Sequence, residues 1–244
     1  MASNIFTQTN IAVIWDFDKT LIPGYMQDPL FRYYHVDGRT FWREVNALPK
    51  YLRREGHEMV AEDSIYLNHI LAYVRAGIFK GLSNRLLREL GAELKFYPGL
   101  PEFFPAVKEH VAKNPHFSKY DLKVEHYIVS TGLRQMILGS KIAEHTDGIW
   151  ACEFVECQLP PGYLTQGRPE SADEEITIRD ISYTIDNTTK TRAIFEINKG
   201  VNKISTIDVN TNIPREDRRI PFENMIYVAD GPSDVPVFSL VNQN

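Results

Sequence analysis

The feature that most constrains the fold is the stretch Ile11–Thr20, in which an apolar run ends in two aspartates one residue apart. The run Ile11–Trp15 is typical of a buried strand in the centre of a parallel sheet. Strand side chains alternate between faces, so Asp16 and Asp18 point the same way where the strand ends. Two such carboxylates repel each other unless a cation lies between them. The pattern therefore predicts a divalent cation, Mg²⁺, and chemistry on a phosphate; two solvated aspartates in a turn are the alternative.

Composition narrows the class of protein. The 244 residues suffice for one large domain or for a domain with an insertion. The formal net charge of −5 lacks the basic excess expected for binding nucleic acid or an anionic membrane surface. Cys152 and Cys157 form neither a CxxC pair nor a zinc site, as expected for reduced thiols. With no visible signal peptide and no membrane-length apolar run, we expect a cytoplasmic protein.

Residues 25–95 show helical spacing and no convincing strand. We predict that Pro49 stops one of these helices. Another is predicted to start at Ser83 as its N-cap and to end at Gly91. The block is therefore interpreted as a small helical module inserted after the first strand.

The rest of the chain alternates between strand and helix patterns. Strands are predicted at Lys123–Val129, Ile149–Phe154 and Asn224–Val228. One helix is predicted to begin at Pro101, with Phe103 and Phe104 facing inward. Two further helices are predicted to cover Leu133–Glu144 and Thr188–Val201. Short alternating pieces within residues 157–187 suggest a hairpin or flap. This order predicts an α/β fold: a Rossmann-like parallel sheet with helices on both faces, plus the small helical module.

Three predicted strands run directly into polar residues. The first leads to Asp16, Asp18 and Thr20, the second to Ser130 and Thr131, and the last to Asp230 and Asp234. Ligands in parallel sheets bind beyond the carboxyl ends of the strands, so all three ends should lie at one edge.

These residues suit phosphoryl transfer. An ionised Asp16 could attack phosphorus and form an aspartyl phosphate, while Asp18 could protonate the leaving alcohol. Asp230 could complete a metal site with Asp16 and a backbone carbonyl near Asp18. Asp234 is better placed outside the direct ligands, where it would hold a metal-bound water or a lysine.

The phosphate also needs donors and a cation. Ser130, with the backbone amides at the start of the next helix, could hold a phosphate oxygen. Thr20, Thr131 and Gly132 complete the expected phosphate contacts. Lys190 is the candidate cation, although an exposed lysine at a helix start is the alternative.

Four ordered segments resemble the motifs of the haloacid-dehalogenase-like superfamily: DFDKT at 16–20, STG at 130–132, Lys190, and DGPSD at 230–234. The resemblance implies that Asp16 is the nucleophile and Asp18 the acid/base. It further implies that Ser130 and Lys190 contact phosphate and that Asp230 binds Mg²⁺. Ala229, where glycine is usual, and Pro232 depart from the pattern without removing a catalytic group.

The helical insertion is similar to the cap of the phosphoserine-phosphatase-like branch, as is TTKTRAI at 188–194 around the lysine. The expected division is a core of residues 1–23 and 97–244 and a cap of residues 24–96. In such enzymes the cap closes over the substrate.

The hypothesis that follows is a Mg²⁺-dependent phosphatase acting on a small phosphorylated metabolite, with neither nucleic acid nor membrane as partner. A phosphotransferase or mutase would use the same intermediate, and a catalytically silent binding domain is the non-enzymatic alternative. The substrate and the oligomeric state stay open.

Overall fold

A computed structural model describes residues 8–157, 161–166 and 176–242. Within these ranges a five-stranded sheet has the order β4-β3-β2-β1-β5. Neighbours are parallel except β3 and β4, which are antiparallel. The strands are β1 (Asn10–Trp15), β2 (Lys123–Leu133), β3 (Gly148–Val155), β4 (Asp180–Tyr183) and β5 (Met225–Val228). The predicted α/β class is confirmed.

Helices flank the sheet and fill the interval between β1 and β2. They are α1 (Asp28–Tyr33), α2 (Gly38–Arg54), α3 (Ile65–Arg75), α4 (Asn84–Gly91), α5 (Phe103–Lys113), α6 (Pro115–Ser118), α7 (Arg134–Gly139), α8 (Tyr163–Gln166), α9 (Thr189–Lys199) and α10 (Val235–Asn242). None of the described helices is both long and apolar enough to cross a membrane.

The two faces of the sheet carry separate apolar clusters, because side chains of a strand alternate between faces. Ile128 of β2 belongs to the cluster that continues into the helices between β1 and β2. Its neighbours Tyr127 and Val129 belong to the other cluster, together with buried residues of α9. The sheet is thus covered on both sides, as parallel strands require.

Helix α4, from the inserted block, packs directly against α7, which follows β2. A Cβ atom on Gly91 would lie 2.1 Å from the carbonyl oxygen of Met136, and one on Gly139 would lie 1.9 Å from that of Arg88. Only glycine allows this approach of the two backbones. Hydrophobic packing is therefore continuous between the inserted helices and the rest, and the division at residues 24–96 stays a prediction.

The predicted ends of two helices are wrong, one in the inserted block and one after β2. Pro49 does not stop α2, which runs on to Arg54. Pro49 lies on the buried face with Phe41 and Val45, and burial of that face offsets the missing backbone hydrogen bond. Helix α7 ends at Gly139 rather than at Glu144, because Ser140 is extended and its hydroxyl donates to the Ile137 carbonyl.

Helix α5 begins at Phe103 rather than at Pro101, and Phe103 is exposed rather than inward. Successive helical residues point about 100° apart, so two adjacent phenylalanines cannot both face the core. Phe104 takes the buried position and stacks on Trp15 and His126.

The interval 157–187 lies partly outside the described residues, which omit 158–160 and 167–175. Its described end forms β4, which pairs with β3 in antiparallel orientation. The predicted hairpin is therefore a pairing of this interval with the preceding strand.

Candidate active site

The site forms where β1, an interior strand, ends between β2 and β5. The backbone N–H of Asp16 donates to the carbonyl of Val228 at 2.9 Å, which ties the start of the site to the end of β5. Asp230 follows two residues later. Parallel pairing therefore brings the ends of β1 and β5 to one edge, as the sequence predicts.

Lys190 lies at the centre of this edge. Its Nζ donates to Oδ1 of Asp16 at 2.8 Å and to Oδ1 of Asp234 at 2.6 Å. The side chain is only 1% exposed, so the alternative of an exposed lysine at a helix start is wrong. Burial alone would lower the pKa of the Lys190 ammonium, but the charges of Asp16 and Asp234 raise it above its ordinary value.

The start of α9 aims Lys190 at the strand end. Oδ1 of Asp186 accepts backbone N–H bonds from Thr188 and Thr189 at 2.8 and 2.7 Å. These bonds satisfy donors that a helix N-terminus leaves unpaired and hold the first turn in place. Asp186 thus positions the lysine without touching the site.

Asp234 is fully buried and accepts hydrogen bonds on both oxygens. Tyr227 donates its hydroxyl to Oδ1 at 2.5 Å, and Ser233 donates to Oδ2 at 2.8 Å. Burial and the negative charge of Asp234 raise the pKa of the Tyr227 phenol, so it stays a donor. The sequence analysis did not identify Tyr227, which lies within the β5 strand pattern.

Asp16, Asp230 and Asp234 form an acidic cluster, in which one carboxylate oxygen from each lies within 4.8 Å of the others. Asp16 and Asp234 are buried and Asp230 is exposed. Carboxylate oxygens are the donors that Mg²⁺ prefers, so this set fits the ion. Because the oxygens of Asp234 already accept three hydrogen bonds, Asp16 and Asp230 are the more available ligands.

Burial raises the pKa of the Asp16 carboxyl above its ordinary value, and Lys190 opposes this rise. A divalent cation would favour the ionised carboxylate in the same way. A metal ion would therefore stabilise the ionised carboxylates of the acidic cluster further than the single charge of Lys190 does.

Asp18 has a different environment although it lies two residues from Asp16. Its Oδ1 accepts the backbone N–H of Met26 at 2.9 Å. Burial raises the pKa of Asp18 to about 8, outweighing the Met26 bond, and the Asp16 charge adds to the rise. Its carboxylate is not part of the acidic cluster, and a metal contact through its backbone carbonyl stays a prediction.

The end of β2 supplies the predicted phosphate contacts. Ser130 is 1% exposed, and its Oγ accepts the backbone N–H of Gly132 at 3.0 Å, so its own proton is free to be donated. Ser130 to Gly132 lie in the irregular end of β2 rather than in a loop, since the register shifts between Val129 and Leu133. A Cβ atom on Gly132 would lie 2.2 Å from Cε of Met26, so this position needs glycine.

Thr20 and Thr131 are placed differently. The hydroxyl of Thr20 is buried without a hydrogen-bond partner among the described residues, so it could serve a ligand. The carbonyl of Thr131 accepts the hydroxyl of Tyr66 at 2.7 Å. Tyr66, from α3, was not identified as a site residue, because helical spacing explains its burial equally well.

The chain is similar in sequence to a curated protein. An uncharacterized protein of Borreliella burgdorferi (strain B31) is 45% identical over 232 residues, which cover 95% of this chain and 78% of that protein. No protein-family model matches the chain.

Two solved structures with a similar fold are hydrolases. A HAD-family hydrolase of Salmonella enterica serovar Typhi aligns with a TM-score of 0.56 and 15% identity over 97% of this chain. The alignment spans 61% of the length of that hydrolase. A phosphoserine phosphatase, solved as a phospho-aspartyl intermediate analogue, aligns with a TM-score of 0.52 and 17% identity over 94% of this chain and 82% of its own. At these identities the likeness shows the fold alone.

Proposed function

From its family and its fold, we propose that this chain is a Mg²⁺-dependent phosphatase of small phosphomonoesters. The chain belongs to the same family as the Borreliella burgdorferi protein. Its fold is haloacid-dehalogenase-like and close to that of the phosphoserine-phosphatase-like branch. The observation that carries the proposal is the buried Lys190, shared between Asp16 and Asp234. Burying an ammonium together with two carboxylates costs desolvation free energy. The charge so placed would stabilise a phosphoryl group bound beside it.

Asp16 is the proposed nucleophile. A bond forms between its carboxylate oxygen and phosphorus while the ester P–O bond breaks, which gives an aspartyl phosphate. Lys190 stabilises the charge on the transferring oxygens from its place beside Asp16. Ser130 would donate its hydroxyl proton to another phosphate oxygen.

Asp18 is the proposed acid and base. Its raised pKa keeps it protonated near neutral pH, so it can give the proton to the departing alkoxide. The resulting carboxylate then takes a proton from the water that attacks the aspartyl phosphate. Inorganic phosphate leaves, and both aspartates return to their starting states.

Asp16 and Asp230 would hold Mg²⁺, and the bound ion would neutralise phosphate charge. We further infer a cytoplasmic location, since Cys152 and Cys157 are both free thiols.

The test is phosphate release from p-nitrophenyl phosphate in Mg²⁺ and in EDTA. Activity is expected only in Mg²⁺. An acid-quenched sample should carry covalent phosphate that hydroxylamine removes, as an acyl phosphate requires. Turnover in EDTA, or covalent phosphate that resists hydroxylamine, would contradict the mechanism.

A further inference from the structure

Three aromatic side chains from the inserted block form a row. The rings of Tyr25 and Trp42 lie 5.5 Å apart between centroids, and those of Trp42 and Tyr66 lie 5.7 Å apart. Tyr25 precedes α1, Trp42 is in α2 and Tyr66 is in α3. This set, Tyr25, Trp42 and Tyr66, is called the ring wall below.

Both ends of the ring wall are tied to the polypeptide segments that carry the site. The hydroxyl of Tyr25 accepts a hydrogen bond from Nζ of Lys19 at 2.7 Å, and Lys19 directly follows Asp18. At the other end, Tyr66 donates to the carbonyl of Thr131 at 2.7 Å, next to Ser130. The ring wall therefore runs from one side of the candidate site to the other.

The contacts at its two ends place the ring wall next to the proposed acid and the phosphate contact in the chain, because Lys19 follows Asp18 and Thr131 follows Ser130. Asp18 is the proposed proton donor to the leaving oxygen, so a leaving group bound at Asp18 would lie next to Tyr25, which is hydrogen-bonded to Lys19.

The chemistry of the ring wall favours one kind of leaving group. Aromatic faces stabilise a planar apolar group by area burial and by offset or edge contacts. The ammonium of Lys19 already lies 4.4 Å from the Tyr25 ring centroid, so a cationic leaving group would meet a like charge there. The indole N–H of Trp42 is buried without an acceptor among the described residues, and its donor could be satisfied by a bound ligand.

We propose that the leaving group packs on the exposed end of the ring wall, at Tyr25, and that the substrates are phosphomonoesters of uncharged, aromatic alcohols. The proposal rests on the proposed function for the identity of the proton donor. It separates this chain from enzymes that take phosphorylated amino acids or amino alcohols, whose ammonium group the ring wall would not accommodate.

The test uses ligands that cannot be hydrolysed, so it does not depend on turnover. Binding of ethylphosphonate, 2-aminoethylphosphonate and benzylphosphonate is measured by calorimetry in Mg²⁺. Benzylphosphonate should bind about 10-fold more tightly than ethylphosphonate, which corresponds to about 1.4 kcal/mol of ring contact. The aminoethyl compound should bind no more tightly than ethylphosphonate.

Two variants of Tyr25 isolate the ring from its hydroxyl. Tyr25→Phe and Tyr25→Leu both lose the Lys19 hydrogen bond, but only Tyr25→Phe keeps the ring. Because Tyr25 is 42% exposed, neither change should prevent folding. The preference for benzylphosphonate over ethylphosphonate should stay within about twofold of wild type in Tyr25→Phe and fall about fivefold in Tyr25→Leu.

Equal binding of the three ligands, absence of binding, tightest binding of the aminoethyl compound, or equal preferences in the two variants would overturn the proposal. Failure of the proposed function has a different signature. In that case no phosphomonoester would be hydrolysed, while the benzylphosphonate preference and its loss in Tyr25→Leu would remain.

Discussion

The acidic cluster and the ring wall are held in place in different ways. In the acidic cluster, Asp16 and Asp234 share one buried ammonium through bonds of 2.8 and 2.6 Å. In the ring wall, rings at 5.5 and 5.7 Å pack without directional bonds to each other, and only the terminal hydroxyls are tied down.

The difference separates chemistry from selection. Buried charges tolerate little displacement, because an unpaired ion in the interior is costly. Packed rings can be exchanged for others of similar volume at a smaller cost. We therefore expect changes in the acidic cluster to remove turnover or stability, and changes in the ring wall to alter the choice of ligand.

The largest expected effect is the loss of the nucleophile. Asp16→Asn should lower kcat by about 10⁴-fold, because the amide cannot form the aspartyl phosphate. Phosphate release and acid-stable labelling measure the loss. The matched control is Asp63→Asn, which changes an exposed carboxylate shortly before α3 and should retain kcat within about twofold.

The comparison with the ring wall adds a second readout for Asp16→Asn. Its preference for benzylphosphonate over ethylphosphonate should stay unchanged, because the rings are not altered. A variant with normal kcat, or one that loses the ligand preference together with kcat, would show that the two regions do not have separate roles.

Removal of the buried cation should have the next largest effect. Lys190→Met leaves Asp16 and Asp234 buried without their ammonium, which should lower the free energy of unfolding by about 3–5 kcal/mol in EDTA. Urea denaturation measures it. Lys199→Met makes the same change on the same helix, where the ammonium donates to the carbonyls of Val209 and Thr211, and should cost much less. Similar losses in the two variants would mean that Lys190 is an ordinary helix lysine.

Asp18 should make stability depend on pH. Its pKa is about 8 in the folded protein against 3.8 for an ordinary aspartate, so the folded state holds a proton that the unfolded state loses. The stabilising contribution is complete below about pH 4 and is lost as pH rises through about 8.

The measurement compares wild type with Asp18→Asn in EDTA between about pH 5 and pH 8. The free energy of unfolding of wild type, minus that of the variant, should fall by up to about 1.4 kcal/mol per pH unit. Groups that both proteins share contribute equally and cancel in this difference. A difference that is flat or rises with pH would show that Asp18 is ionised in the metal-free protein.

Tyr227 should give the smallest effect, and one that sharpens the role of Asp234. Tyr227→Phe removes one donor from Asp234 and lets its carboxylate turn away from Lys190. We expect kcat to fall about 10-fold with KM within about twofold, since a hydrogen bond to a charged group contributes about 1.5–3 kcal/mol. Steady-state kinetics measure both constants.

The control for Tyr227 is Tyr127→Phe, which removes a phenol that donates to Glu125 away from the acidic cluster. It should cost stability but leave kcat unchanged. If both variants lower kcat equally, Tyr227 contributes only to folding.

The residues of the strand ends were predictable because parallel strands present their carboxyl ends at one edge. That rule alone brings Asp16 and Asp230 together. Lys190 was identified as a candidate, but its burial was not predictable, because a lysine at the start of a helix is ordinarily solvated. Tyr227 and Tyr66 carried no signal, since strand and helix packing explain an aromatic residue at either position.

The errors have the same origin. Local rules end a helix at Pro49 and place Phe103 inward, yet packing of the whole helix face decided both. Local sequence indicates the conformation that a segment favours in isolation, but packing against neighbouring elements determines the conformation that it adopts.

The amino-acid sequence by itself determined the α/β class, the order of the main strands and helices, and the edge at which the aspartates meet. These follow from periodicity and from the directions of parallel strands, which are properties of the chain. Only the tertiary structure decided that one ammonium serves two carboxylates, that Tyr227 orients Asp234, and that three rings form a row between Lys19 and Thr131. Those arrangements depend on distances between residues far apart in the chain, and such distances exist only once the core has packed.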